Sequence, residues 1–161
     1  MEKIILKKNV FCYRLKGIAI GIAEEDNAIV GLFFGTKPPA GFTHAETPLI
    51  QKAAAQIEEY LNGKRKQFKL PLITHGTEFQ KAVWQALQTI PFGETRSYKE
   101  IAAMIGRPKA VRAVGMANNR NPISIIIPCH RVIGHDGKLV GYGGGLPLKQ
   151  RLLELEGAIT N

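Results

Sequence analysis

The hydrophobic pattern changes period part-way along the chain, and that change limits the folds open to it. Up to Phe34 the apolar residues come in short β-rich runs: Val10-Phe11-Cys12-Tyr13, Ile18-Ala19-Ile20-Gly21-Ile22 and Ala28-Ile29-Val30-Gly31-Leu32-Phe33-Phe34. The last follows Glu25-Asp26-Asn27, a polar, turn-like break, and Lys37-Pro38-Pro39-Ala40-Gly41 reads as a loop. From Thr47-Pro48, an N-cap with Pro at the first helical position, the spacing becomes helical. Leu49, Ile50, Ala53, Ala54, Ile57, Tyr60 and Leu61 share a face, and Asn62-Gly63 ends the helix. Strands gathered ahead of helices predict an α+β chain. The expected division is a sheet-plus-helix α/β domain over 1–75 and a mostly helical domain over 76–161. Lys64 to Gly76 reads as a linker with a solvated basic start.

The length of 161 residues suits one domain or two small ones, and 45% hydrophobic residues suffice for a core. Lys and Arg number 22 against 13 Asp and Glu, a net charge of +9 that points to a polyanionic partner, nucleic acid or an anionic surface. Two cysteines far apart, Cys12 and Cys129, exclude a disulfide framework and a CxxC zinc site. The apolar stretch within the first eight residues is too short for a signal peptide, and no run approaches a membrane span. The expected setting is a reducing, cytoplasmic compartment without a membrane.

In the second half Thr77 caps a helix carrying Phe79, Val83, Trp84 and Leu87, which Pro91-Phe92-Gly93 ends. Ser97, with Glu100 three residues on, forms a capping box for a short helix from Tyr98 to Ile105. Gly106-Arg107-Pro108 breaks it, and a second helix runs from about Lys109 to Asn118, a helix-turn-helix pattern. From Arg96 to Arg131 there are seven basic residues (Arg96, Lys99, Arg107, Lys109, Arg112, Arg120 and Arg131) and one acid, Glu100. Ala110, Ala113, Gly115 and Ala117 leave the second helix nearly bare. Close helix packing uses the same small residues; the central Arg112 favours close approach to DNA.

The chemistry lies in Ile123-Ser124-Ile125-Ile126-Ile127-Pro128-Cys129-His130-Arg131-Val132. Pro128 cannot donate to a sheet ladder, so regular structure ends before Cys129. His130 and Arg131 both favour a thiolate, the nucleophilic form. Adjacent residues do not face each other on a strand or a helix, so His130 serves Cys129 through irregular backbone or a bridging water. A third group must orient the imidazole. Glu154 and Glu156 both qualify by position. A purely structural Cys-His pair in a loop fits the same dipeptide.

The Ile127-Pro128-Cys129-His130-Arg131-Val132 segment resembles the active-site motif of the O6-alkylguanine-DNA alkyltransferases (methylated-DNA–protein-cysteine S-methyltransferases). Residues 79–84, Pro91-Phe92-Gly93-Glu94, Ser97-Tyr98, residues 107–115 and 119–122, and Gly141-Tyr142-Gly143-Gly144-Gly145 follow the family order. The resemblance spans about 77–157; the first 75 residues match only in layout. It implies a ribonuclease-H-like first domain and a winged-helix-like second domain. It implies transfer of a methyl or other alkyl group from O6 of guanine, and from O4 of thymine, in double-stranded DNA to Cys129. It also implies a protein that acts once and is spent, because the thioether formed is not reversed by thiol exchange. By the same resemblance His130 takes the thiol proton through a water, Glu156 orients His130, and Asn121 supports the site. Tyr98 serves guanine N3 and turns the phosphate. Tyr142, Gly143 and Val132 line the flipped base. Arg112 fills the gap left by that base, and Ala110, Ala113, Gly115, Arg120 and Arg131 complete a minor-groove face.

No metal, no cofactor and a monomer are expected. Some relatives bind zinc in the first domain, but Cys12, His44 and His75 are scattered here. Several relatives carry Ser where this chain has Gly143. Alkyltransferase-like proteins bind the lesion without repairing it and replace the reactive cysteine, commonly with Trp; Cys129 stands against that alternative. A helix-turn-helix regulator leaves the order of Asn121, Tyr142 and Glu156 unexplained. A Cys-His hydrolase would need signatures this chain lacks.

Overall fold

A computed structural model describes residues 7–159. Most of the opening segment read above for a leader lies outside them. The chain divides into two compact units, Met1–Thr74 and His75–Asn161.

In the first unit β1 (Lys8–Leu15), β2 (Ile18–Glu25) and β3 (Ala28–Phe34) form an antiparallel meander. Both hairpins turn on two residues with positive φ, Lys16-Gly17 and Asp26-Asn27. That is the I′ geometry, whose twist matches the strands. A two-residue β4 (Thr43–His44) pairs in parallel with β1, giving the order β3-β2-β1-β4. The polar loop before it left no pattern from which so short a strand could be read.

Helix α1 (Pro48–Leu61) starts where expected. Thr47 Oγ1 accepts from Ile50 N at 3.2 Å, and Asn62 with Gly63 (φ +74°) ends it. Its buried face, including Ile50, Ala53, Ile57 and Tyr60, packs on the meander over Ile20, Ile22 and Leu32.

The stretch expected as a linker is instead pinned to this unit. Ile29 N donates to Pro71 O at 2.8 Å and Ile73 N to Ile29 O at 3.0 Å. The buried amide of Gln56 accepts from Lys69 N and donates to Lys69 O, at 2.9 and 3.2 Å. A buried amide needs such partners, and an extended chain alongside supplies them.

The second unit carries α2 (Glu78–Leu87), β5 (Arg96–Ser97), α3 (Tyr98–Met104), α4 (Val111–Asn119), β6 (Val132–Ile133) and α5 (Leu146–Leu155). Thr77 with Gln80, and Ser97 with Glu100, close capping boxes on α2 and α3. Helix α4 has no side-chain cap and starts at Val111, two residues later than expected. The chain between α3 and α4 is accordingly longer than a three-residue turn. Trp84 Nε1 of α2 donates to Ala117 O of α4 at 2.8 Å in the interior, tying the two helices together. β5 and β6 pair in parallel over two residues, which sets the cap of α3 beside the segment carrying Cys129.

Candidate active site

Cys129 is presented by irregular backbone of a defined kind. Ile126 N donates to Ser124 O at 2.8 Å across Ile125, whose φ is +71°. This is the rarer γ-turn, and a β-branched residue there stores about 1–3 kcal/mol of strain. Ile125 is fully buried, so its packing holds the conformation. Cys129 N then donates to Ile127 O at 2.8 Å across Pro128 (φ −81°, ψ 64°), an inverse γ-turn that the Pro ring favours. A single 3₁₀ turn, Cys129–Arg131, follows. Asn121 braces the run, donating from Nδ2 to Ile127 O at 2.7 Å and accepting from Ile123 N at 3.0 Å. Asn118 Nδ2 donates to Cys129 O at 3.4 Å.

The 3₁₀ turn sends His130 and Arg131 onto one carboxylate. His130 Nε2 lies 2.7 Å from Glu156 Oε2, and both side chains are fully buried. Arg131 forks onto the same carboxylate, Nε to Oε1 at 2.8 Å and Nη2 to Oε2 at 3.0 Å, while Nη1 donates to Ile90 O at 2.7 Å. Gly93 N donates to Glu156 Oε1 at 3.3 Å. Gly93 has φ +86°, and a Cβ there would press on Glu156 O at 3.1 Å, so the close approach requires glycine. Glu154, the other carboxylate that spacing left open, accepts from Gln150 on the surface at 2.8 Å. With Nε2–H donating to Glu156, the lone pair that takes a proton sits on Nδ1.

Sequence reasoning missed Lys149. Its fully buried ammonium donates to Val132 O at 2.6 Å, Val140 O at 2.9 Å and Gly141 O at 3.4 Å, fastening both ends of the loop after β6. The signal was in the spacing: Lys149, Leu152 and Leu153 share the buried face of α5, with the C-cap Glu156 next at the same spacing, so a charge stood in an apolar stripe. Helix α5 itself went unread because the glycines of 141–145 hide its start.

Burial pushes the Cys129 thiol above its ordinary value, opposed by the Asn121 side chain, the Lys149 charge and the Ser124 hydroxyl. Burial pushes His130 below its ordinary value; Glu156 opposes this, and the charges of Arg131 and Lys149 add to it. Burial brings Lys149 down to about 8. Burial, then the nearby Cys129, raises Tyr98. The resting site is thus a neutral thiol beside a neutral imidazole, ready for a proton to leave as the sulfur attacks. Among the described residues no cluster of three or more His, Cys, Asp or Glu is placed to hold a metal ion.

Two family models match the chain: the 6-O-methylguanine DNA methyltransferase DNA binding domain over 78–158 and its ribonuclease-like domain over 19–74. The chain is 64% identical over 107 residues to a methylated-DNA–protein-cysteine methyltransferase of Methanosarcina barkeri, covering 66% of this chain and 68% of that one. It is 49% identical over 143 residues to the constitutive enzyme of Bacillus subtilis, covering 84% and 87%. The crystal structure of Mycobacterium tuberculosis OGT in complex with DNA superposes with a TM-score of 0.87 at 43% identity, covering 93% of each chain. The chain belongs to the 6-O-methylguanine DNA methyltransferase family.

The methyltransferase helix-turn-helix, α3 and α4, exposes Lys99, Arg107, Lys109, Arg112, Ala113 and Arg120. The small residues of α4 divide. Ala113 is exposed, Ala117 is buried against Trp84, and Gly115 faces the Tyr98 ring, where an added Cβ would sit 3.8 Å away. Ala110 is half-buried at the helix start. The surface is less bare than expected, because Met116 is 56% exposed on it.

Arg131 departs from the expected DNA contact: it is buried, its guanidinium spent on Glu156 and Ile90, with Phe92 at 5.9 Å. An arginine beside a buried carboxylate is drawn inward by the charge it neutralises. Val132 is likewise fully buried rather than open to a base, and its carbonyl serves Lys149. Tyr142 sets its ring edge-on to His130, centroids 6.5 Å apart. Gly143 is exposed with open space about it. Tyr98 Oη donates to Val140 O at 3.1 Å, next to the loop that Lys149 fastens.

Proposed function

We propose that this protein reverses O6-alkylguanine damage in double-stranded DNA by moving the alkyl group onto Cys129. The buried hydrogen bond from His130 to Glu156, one residue beyond the thiol and following a basic helix-turn-helix, carries the reading. Cys129 Sγ attacks the alkyl carbon. The carbon–sulfur bond forms as the carbon–oxygen bond breaks, and the electron pair leaves on the guanine. The thiol proton passes through a water to His130, whose imidazolium Glu156 stabilises. Tyr98 directs its hydroxyl to guanine N3, exchanging Val140 O for the base. Asn121 keeps the γ-turns in register. The base must leave the stack to reach a sulfur this deep, so Arg112 enters the duplex in its place while Tyr142 and Gly143 cover the base. Ala110, Ala113, Gly115 and Arg120 border the minor groove. There the donor and acceptor pattern reads sequence poorly, as general repair requires. No described helix is long and apolar enough to cross a membrane. A nucleophilic thiol that must stay reduced suits work in the cytoplasm, on the nucleoid, and the reading takes the protein as a monomer.

The deciding experiment mixes the protein with a duplex carrying one O6-methylguanine and reads its intact mass. The expected result is a gain of one methylene per molecule, mapped to the peptide holding Cys129, with restored guanine. Multiple turnover, or lesion binding without a gain in mass, contradicts the proposal. Arg112→Ala should slow repair of the duplex about tenfold or more, the loss of a few kcal/mol for an unstacked base. It should leave reaction with free O6-benzylguanine nearly intact. Parallel single-turnover assays compare the two, and equal losses remove the insertion role.

A further inference from the structure

Resting on His130 as the base, we propose that Arg131 is a positioning residue of the reaction: it forks onto both oxygens of Glu156, fixes that carboxylate against the imidazole and balances its charge, so that His130 stays neutral until the thiol gives up its proton. The geometry is specific. Arg131 and His130 converge on the same oxygen, Oε2, at 3.0 and 2.7 Å, and Arg131 also holds Oε1 with its Nε, beside the Gly93 amide. The fork is anchored from behind by Ile90 O and flanked by the Phe92 ring, so the guanidinium has one orientation available.

The charge arithmetic gives the purpose. An unbalanced buried carboxylate beside an imidazole favours the ion pair, which is a spent base before substrate arrives. With Arg131 present, the carboxylate and guanidinium cancel, and the imidazole gains its proton only when sulfur begins to lose one. Among the described residues, the charged groups that act on His130 are Arg131 from its own turn, Lys149 from α5 and Glu156 at the C-cap of that helix; the Tyr142 ring lies edge-on to the imidazole. Helix α2, which also packs on the turn, has Val83, Trp84, Ala86 and Leu87 as its buried residues, and none of them titrates. Arg131 and Lys149 act in the same direction on the ring, but only Arg131 touches the carboxylate.

The test follows His130 by NMR titration of its ring and measures the single-turnover methyl-transfer rate against pH, in the wild type and in Arg131→Met, Arg131→Gln and Arg131→Lys. Loss of the positive charge should raise the His130 midpoint by about one pH unit. The acid limb of the rate profile should move up with it, the rate recovering as pH rises. Arg131→Gln keeps a donor to Glu156 and drops the charge, so it gives the same reading if the Met variant does not fold. Arg131→Lys keeps the charge and loses the fork, so its midpoint should stay near wild type. A rate that falls equally at every pH, with the midpoint unmoved in the neutral variants, overturns the proposal and leaves Arg131 a structural residue. His130→Asn separates this from the reading beneath it: wild-type rates there would discard His130 as the base, whatever the titrations show.

Discussion

Cys129→Ala is expected to abolish alkyl transfer while lesion binding persists. The sulfur is the only group of the site that forms a bond, and nothing near it replaces a soft, ionisable nucleophile. Asn121 and Ser124, its polar neighbours, are an amide and a hydroxyl that hold the turn or the thiolate. Cys12, the other free cysteine, sits on β1 in the first unit. Among the described residues no imidazole–carboxylate bond stands beside it: the Phe11 ring lies tilted against Tyr13 and His44, and Tyr13, rather than His44, donates to Glu46. The fold should tolerate the change. Replacing a 5% exposed thiol by a methyl group leaves a cavity no larger than one sulfur, a loss of about 1 kcal/mol. Intact mass should therefore show no gain after long incubation with O6-methylguanine duplex. A gel-shift titration should give a dissociation constant within a few-fold of wild type. A residual gain in mass would mean another acceptor.

Glu156→Gln is expected to cost both stability and rate. The carboxylate receives His130 and two bonds from Arg131, all buried, and a partly buried one from Gly93. An amide keeps the shape but drops the charge and turns two acceptor sites into donors, leaving the Arg131 guanidinium buried without its counter-charge. Breaking a buried pair in this one-sided way typically costs about 3–5 kcal/mol. Removing the group that stabilises the imidazolium should slow transfer by about 10²-fold or more. Thermal unfolding and single-turnover kinetics read the two effects separately. The double variant Glu156→Gln with Arg131→Met should regain part of the stability, since both halves of the pair are then gone, yet regain none of the rate. A Glu156→Gln protein as stable as wild type would mean that Arg131 finds another partner.

Much of this was legible in the amino-acid order, for identifiable reasons. The meander follows from apolar runs broken by polar turns, and α1, α2 and α3 announce themselves through caps at Thr47, Thr77 and Ser97. β4 and the β5–β6 pair were not legible because two-residue strands are fixed by the neighbour they meet, not by a pattern of their own. The attachment of residues 69–73 to the first unit depends on Gln56, whose buried amide gives no periodic signal. At the site, Cys129, His130 and Asn121 stand within nine residues of one another, whereas Glu156 was one of two carboxylates until the fold chose between them. Arg131 was misplaced for a physical reason: a basic residue among basic residues reads as surface, and only the position of Glu156 draws it inward. Lys149 was overlooked because the chemistry of a lysine that binds three carbonyls lies in backbone groups without sequence identity.

Trp84 is the only tryptophan in the chain, and its indole N–H is bonded to the backbone of α4. The molecule therefore carries one indole fluorophore, bonded to the helix proposed above to meet DNA. Emission excited at the indole edge reports the environment beneath that helix and no other tryptophan. The same protein, unlabelled, lets an optical trace follow duplex engagement while mass spectrometry follows the covalent step.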